Sequence, residues 1–134
     1  MKIQLYYAPT TCALAPWATL TEAGANFETV AMNFRKAEHM SPEYLAINPK
    51  HKVPLLIVDG VKLTESVAIQ IWIAENFPAA KLLPAEPMQR LQAISMMSWC
   101  SSGIHPHLAR INSPAKFGGE GNEAAGLVSE LHAV

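Results

Sequence analysis

Two cysteines in 134 residues, Cys12 and Cys100, are too few for a disulfide framework, so the fold has to rest on its core. They are too far apart for Cys-x-x-Cys chemistry, so any thiol exchange at either one is monothiol chemistry. Charge of one sign is also scarce. Ten Lys and Arg against eleven Asp and Glu give a formal net charge of −1, which removes the electrostatic case for nucleic acid or an anionic membrane surface. No apolar run approaches the length of a membrane span. The opening residues Met1 to Leu5 alternate like a strand rather than forming a leader peptide. Internal repeats and low-complexity tracts are missing as well. What remains is 50% hydrophobic content, enough for one domain with a real core, and the cytosol as the default compartment for its reduced thiols.

The pattern along the chain alternates strand and helix. Lys2–Tyr7 reads as a strand with Ile3, Leu5 and Tyr7 on one face. A loop at Pro9-Thr10-Thr11 leads to a helix expected from Cys12 to Ala23, closed by Gly24. Leu14, Trp17 and Ala18 share one stripe of that helix, and Pro16 is tolerated in its first turn. Residues Phe27–Asn33 are β-like. Ser41-Pro42-Glu43 is a helix start, with a hydroxyl cap and Pro at the first helical position. Val53–Val58 and Val61–Thr64 form a hairpin around Asp59-Gly60. Ser66–Phe77 is dense in apolar residues and expected to be a largely buried helix. The order is β-α-β-α-β-β-α over residues 1–77. A Pro-punctuated linker follows at 78–87, then a region at 88–134 with one long helix to about Ile111, kinked at Pro106. Cys100, beside Trp99, is expected in the core. A Gly-rich tail closes in a weak helix from Leu127.

The richest stretch is the 19 residues from Asn48 to Ser66, NPKHKVPLLIVDGVKLTES. Pro54 at a strand entry removes one ladder donor and restricts Val53. A cis bond between them would expose the Val53 backbone to a ligand. Glu65-Ser66 opens a helix, where free N–H groups and the helix dipole favour a carboxylate. The set suits a small extended peptide ending in an amino-acid head group.

These motifs resemble the glutathione transferase family. The ordered run Asn48-Pro49, Val53-Pro54 and Leu63-Thr64-Glu65-Ser66 before an apolar helix carries the resemblance, over about Lys2 to Pro87 and more weakly to Phe117. Tyr7-Ala-Pro-Thr-Thr-Cys12-Ala-Leu-Ala resembles the bacterial beta class, which carries Cys where other classes carry Ser or Tyr. The resemblance implies an α/β, thioredoxin-like first domain and a partial helical second one. It also implies glutathione as co-substrate, no metal, and a detoxifying transfer of glutathione to an electrophile or disulfide.

Roles for particular residues come from the same resemblance. Cys12, Tyr7 and His105 are the catalytic candidates. Cys12 sits by a helix N-terminus, where a thiol pKa is expected to fall, to form a mixed disulfide with glutathione or lie beside its sulfur. Ala13 stands where a Ser is common. Tyr7 is placed to donate to a thiolate or to pack. His105 falls where the beta class has a His facing the sulfur, but Pro106-His107 follow where that class has Lys. Val53 and Pro54 would hold the cysteinyl unit, Glu65 the ammonium and Ser66 the carboxylate of the γ-glutamyl end. Lys36, with Arg35 beside it, and Lys52 are cations for the glycyl end. His105-x-His107 lacks a third metal ligand at sensible spacing. Only 47 residues follow Pro87, fewer than the helical domain of related transferases. The expectation is a fragment, or a homodimer whose chains complete each other's core. The competing expectations are a catalytically weak glutathione binder and a protein-association module.

Overall fold

The computed structural model describes residues 1–112. The chain falls into two units, one of Met1–Leu91 and a second that begins at Gln92. The first unit is a four-stranded sheet with helices. Its strands are β1 (Ile3–Tyr7), β2 (Glu28–Ala31), β3 (Leu55–Val58) and β4 (Val61–Thr64), ordered β2-β1-β3-β4. β1 pairs in parallel with β2 across the helix α1 (Leu14–Glu22), and antiparallel with β3. β3 and β4 are a two-residue hairpin. Asp59 (φ 46°) and Gly60 (φ 86°) both take left-handed backbone, the form whose twist matches the flanking strands. The Asp59 carboxylate also accepts from the Lys2 N–H at 2.7 Å, which ties the turn to the start of β1.

The strand period of two divides the core. Leu56 joins Ile3 and Leu5 of β1, Leu20 of α1, and Ile69 and Ile73 of α3 (Ser66–Asn76) in one cluster. Its neighbour Leu55 points the opposite way, into a cluster with Ala8, Ala13, Met32, Val53 and Tyr44 of α2 (Pro42–Ile47). Full burial of each leucine contributes roughly 1.5–3 kcal/mol. Tyr7 packs against both clusters.

Local chemistry explains the helix ends. Ser41 accepts from the Tyr44 N–H at 3.2 Å, so the expected cap of α2 is present. α1 begins two residues later than the expected Cys12. Thr11 replaces its first turn: the hydroxyl donates to the Ala8 carbonyl and accepts from Ala13 N–H, while Leu14 N–H and Ala15 N–H bond to the carbonyls of Thr11 and Cys12. These i→i+3 bonds tighten the entry and leave Cys12 in the turn before the helix. Pro16 falls at the third helical position, where no intrahelical donor is required, and is buried. Gly24, at φ 65°, closes the helix as expected. The stripe of Leu14 and Ala18 faces outward; Pro16 and Leu20 are the residues of α1 that enter the core.

The last helical stretch is α4 (Pro87–Trp99), a wide turn at Cys100–Ile104 and α5 (His105–Asn112). The break thus comes before Pro106 rather than at it. Pro106 has no N–H and its ring would collide with the carbonyl four residues back, so the preceding turn widens and His105 N–H reaches the Cys100 carbonyl, five residues back. Cys100, expected in the core, is exposed at the start of that turn. Gly103 lies under the Trp99 indole; a Cβ there would meet its Cδ1 at 2.9 Å. The Gly-rich tail and the helix expected from Leu127 lie outside the described residues.

Candidate functional site

The segment between α2 and β3 builds the site's floor. Asn48 is the buried polar residue of the core, 2% exposed. Its Nδ2 donates to the Lys52 carbonyl at 2.8 Å, and its Oδ1 accepts from the Lys50 N–H at 3.1 Å. The Tyr44 hydroxyl donates to the same Lys52 carbonyl at 2.6 Å. Burial holds the Tyr44 phenol above its ordinary pKa, so at neutral pH it remains a donor. Two side chains from α2 and its end therefore grip the backbone just before Val53. The Val53–Pro54 bond is cis, and both residues are buried.

Cys12 meets this bend. Its Sγ donates to the Val53 carbonyl at 3.6 Å, the long reach of a weak sulfur donor. The thiol is pushed up from its ordinary pKa, against the expectation of a lowered one. Burial is the main cause and the Glu65 charge adds to it; the Ser66 hydroxyl, the local backbone and the Lys52 charge pull the other way without prevailing. The helix start two residues downstream explains part of the difference, since a dipole acts mostly within the first turn. At neutral pH Cys12 is a thiol and a donor.

On the other side of the bend, β4 leads into α3 through Glu65. Glu65 has φ 72°, left-handed backbone that costs a non-glycine residue of order 1 kcal/mol. Ser66 is the first residue of α3, and its hydroxyl pulls the Cys12 thiol pKa down against burial. Lys50 bridges back to this corner, with its Nζ 2.6 Å from Glu65 Oε1 and 3.1 Å from Thr64 Oγ1.

Cys12, Lys52, Val53, Pro54, Glu65 and Ser66 are thus brought together. The remaining candidates have their own settings. Tyr7 ends β1 with its ring edge-on to Trp17, centroids 4.4 Å apart. Lys36 is exposed in the turn Phe34–Lys36, its backbone N–H bonded to Asn33 Oδ1. His105 is exposed at the first position of α5, in the second unit. Asn48, Tyr44 and Lys50 are the residues that sequence reasoning passed over. Asn48-Pro49 was visible as a motif, but what its carboxamide holds was not. Among the described residues no group of three or more His, Cys, Asp or Glu could hold a metal ion, and no helix is long and apolar enough to cross a membrane. A shallow apolar depression on α1, lined by Leu14, Trp17, Ala18, Thr21 and Glu22, holds none of the polar groups above.

A sheet of this order, with α1 and α3 sharing one core cluster and a cis-proline beside a thiol, is thioredoxin-like. The family model for the glutathione S-transferase N-terminal domain matches residues 1–75, and the chain belongs to the glutathione transferase family. It is 36% identical over 106 residues to glutathione S-transferase GstA of Escherichia coli O157:H7, covering 77% of this chain and 53% of that one. A glutathione transferase homolog from Sulfitobacter, solved with glutathione bound, matches at 29% identity with a TM-score of 0.90, over 96% of this chain and 62% of that one. A bacterial beta-class enzyme from Sphingomonas chungbukensis matches at 34% identity with a TM-score of 0.77, over 90% and 60%. The chain therefore spans about half the length of its curated relatives, 53% for GstA.

Proposed function

We propose that the first unit, with its binding residues within 1–77, binds reduced glutathione at the Val53–Pro54 bend and presents its sulfur to an electrophile or disulfide. The observation that carries the reading is Cys12 held on the Val53 carbonyl beside the cis-proline, with Ser66 and Glu65 acting on its thiol. Val53 offers backbone groups to the cysteinyl unit, and Pro54 leaves no competing N–H. Glu65 offers a carboxylate to the ammonium, and the free N–H groups opening α3 suit the γ-glutamyl carboxylate. Lys36 and Lys52 are cations for the glycyl end.

Cys12, held as a neutral thiol, fits the role of a donor beside the glutathione sulfur better than that of a standing nucleophile. In a disulfide exchange the glutathione thiolate attacks one sulfur of the substrate. The S–S bond breaks, a glutathione mixed disulfide forms, and the departing thiolate takes a proton. His105 and Tyr7 remain candidates for stabilising the thiolate.

Calorimetric titration of the 134-residue chain with reduced glutathione tests the binding. Saturable micromolar-to-millimolar affinity is expected, and no heat of binding at millimolar glutathione would refute it. Cys12→Ala is expected to keep binding and most glutathione-dependent disulfide reduction; complete loss of that activity with binding intact would transfer the chemistry to Cys12. A second reading, association between chains, is favoured by the exposed apolar side chains Met88, Leu91, Met96, Trp99 and Leu108. It takes the form of a homodimer. Sedimentation equilibrium decides it, since a single 14.6 kDa species at all concentrations would exclude the pair.

A further inference from the structure

The roles above leave one charged group at the corner unused. Lys50 places its ammonium on Glu65 Oε1 at 2.6 Å and on Thr64 Oγ1 at 3.1 Å, immediately ahead of the first residue of α3. Both side chains of the ion pair are more than half exposed, 55% for Lys50 and 70% for Glu65. An exposed pair of this kind adds little to stability and does not by itself account for the effort spent in fixing it. Yet both ends are fixed. The Lys50 backbone hangs on the carboxamide of buried Asn48, and Glu65 is held in left-handed backbone.

We propose that Lys50 and Glu65 together read a zwitterionic amino-acid head group, Glu65 taking its ammonium and Lys50 its α-carboxylate. Lys50 is then a specificity-determining residue for the γ-glutamyl end of glutathione, an inference that rests on the glutathione reading above. The valences fit. An ammonium has three N–H donors and two are used here, while the Glu65 carboxylate keeps its second oxygen. A zwitterion laid across an ion pair meets a partner for each charge; a head group carrying one charge leaves one member of the pair facing a blank. The N–H groups that open α3 suit the carboxylate, and Lys50 is the cation fixed immediately ahead of them.

The test uses the full chain and three peptides: glutathione, γ-aminobutyryl-Cys-Gly, which lacks the α-carboxylate, and glutaryl-Cys-Gly, which lacks the ammonium. Lys50→Met is expected to weaken glutathione binding by roughly three- to tenfold, with the larger loss at low salt. It should leave the γ-aminobutyryl peptide within about twofold of wild type, since the lost partner has nothing to read there. Lys50→Arg should stay near wild type, and circular dichroism should show all variants folded. Glu65→Gln should show the converse, a loss for glutathione and little change for the glutaryl peptide. Equal losses for glutathione and the γ-aminobutyryl peptide in Lys50→Met would mark a structural lysine and overturn the proposal. Unchanged or tighter glutathione binding in that variant would overturn it too, showing a bystander or a competitor for Glu65. Those failures leave wild-type binding of glutathione intact; a wild-type chain that binds none of the peptides sinks the glutathione reading itself and the proposal with it.

Discussion

Asn48→Asp separates the two hydrogen bonds that shape the site. The residue is 2% exposed; one side-chain atom donates to the Lys52 carbonyl at 2.8 Å and the other accepts from Lys50 N–H at 3.1 Å. Asn48→Ala removes both, for a loss of about 1–3 kcal/mol at about 0.5–1.5 kcal/mol per bond. The aspartate keeps the shape and the acceptor, but an ionised carboxylate turns an acceptor toward a carbonyl in a buried site. That inversion should cost about 3 kcal/mol or more at neutral pH. The nearby cations Lys50 and Lys52 offset part of it, but the Lys50 ammonium is already spent on Glu65. Once protonated, the introduced carboxyl regains an O–H donor toward the Lys52 carbonyl. Burial and the facing carbonyl therefore raise its folded pKa above the unfolded value of about 3.9. A raised folded pKa gives stability that is whole below the unfolded pKa and lost as pH rises through the folded one. The penalty relative to wild type should thus widen between pH 5.5 and 7.5, by no more than about 1.4 kcal/mol per pH unit. Urea unfolding followed by tryptophan fluorescence at the two pH values measures it. A pH-independent penalty, or an Asp variant more stable than the Ala variant at pH 7.5, would refute the reasoning.

Two further outcomes follow from particular contacts. In a Cys100→Ser background, the alkylation rate of Cys12 by iodoacetamide should rise with pH to a midpoint above the ordinary thiol value of about 8.5. Ser66→Ala should move that midpoint higher and Glu65→Gln lower, because the hydroxyl favours the thiolate and the carboxylate opposes it; reversed shifts would contradict the geometry. Gly103→Ala ordinarily gains up to about 1 kcal/mol in a helix. Here the added Cβ meets the Trp99 indole at 2.9 Å, so thermal unfolding should show the gain only in a Trp99→Ala background.

The hairpin, the cap of α2 and the end of α1 were legible because they depend on neighbours in sequence: Asp59-Gly60, Ser41 with Pro42, and Gly24. The resemblance marked most of the residues that meet at the bend. What escaped was long-range or tertiary. The Cys12 thiol was expected to acidify from its place near a helix start, but burial is set by residues 40 or more positions away, Val53 among them. Thr11 delayed α1 through hydrogen bonds that propensity does not register. Lys50 and Glu65 are 15 residues apart and neither announces the other. Cys100, beside Trp99, was expected inside; it is exposed at the start of the widened turn ahead of Pro106.

The double grip on the Lys52 carbonyl has a consequence for how this chain can vary. Tyr44 and Asn48 hold the main chain of position 52 and make no demand on its side chain. The shape of the bend is therefore written at positions 44 and 48, while the Lys52 side chain adds a positive charge that Cys12 feels alongside the larger effect of Glu65. Substitution of Lys52 by a neutral residue should retune the thiol with the bend undisturbed. The backbone geometry of the bend thus tolerates a change of side chain at 52, whereas a change at 48 removes a hydrogen bond that holds it.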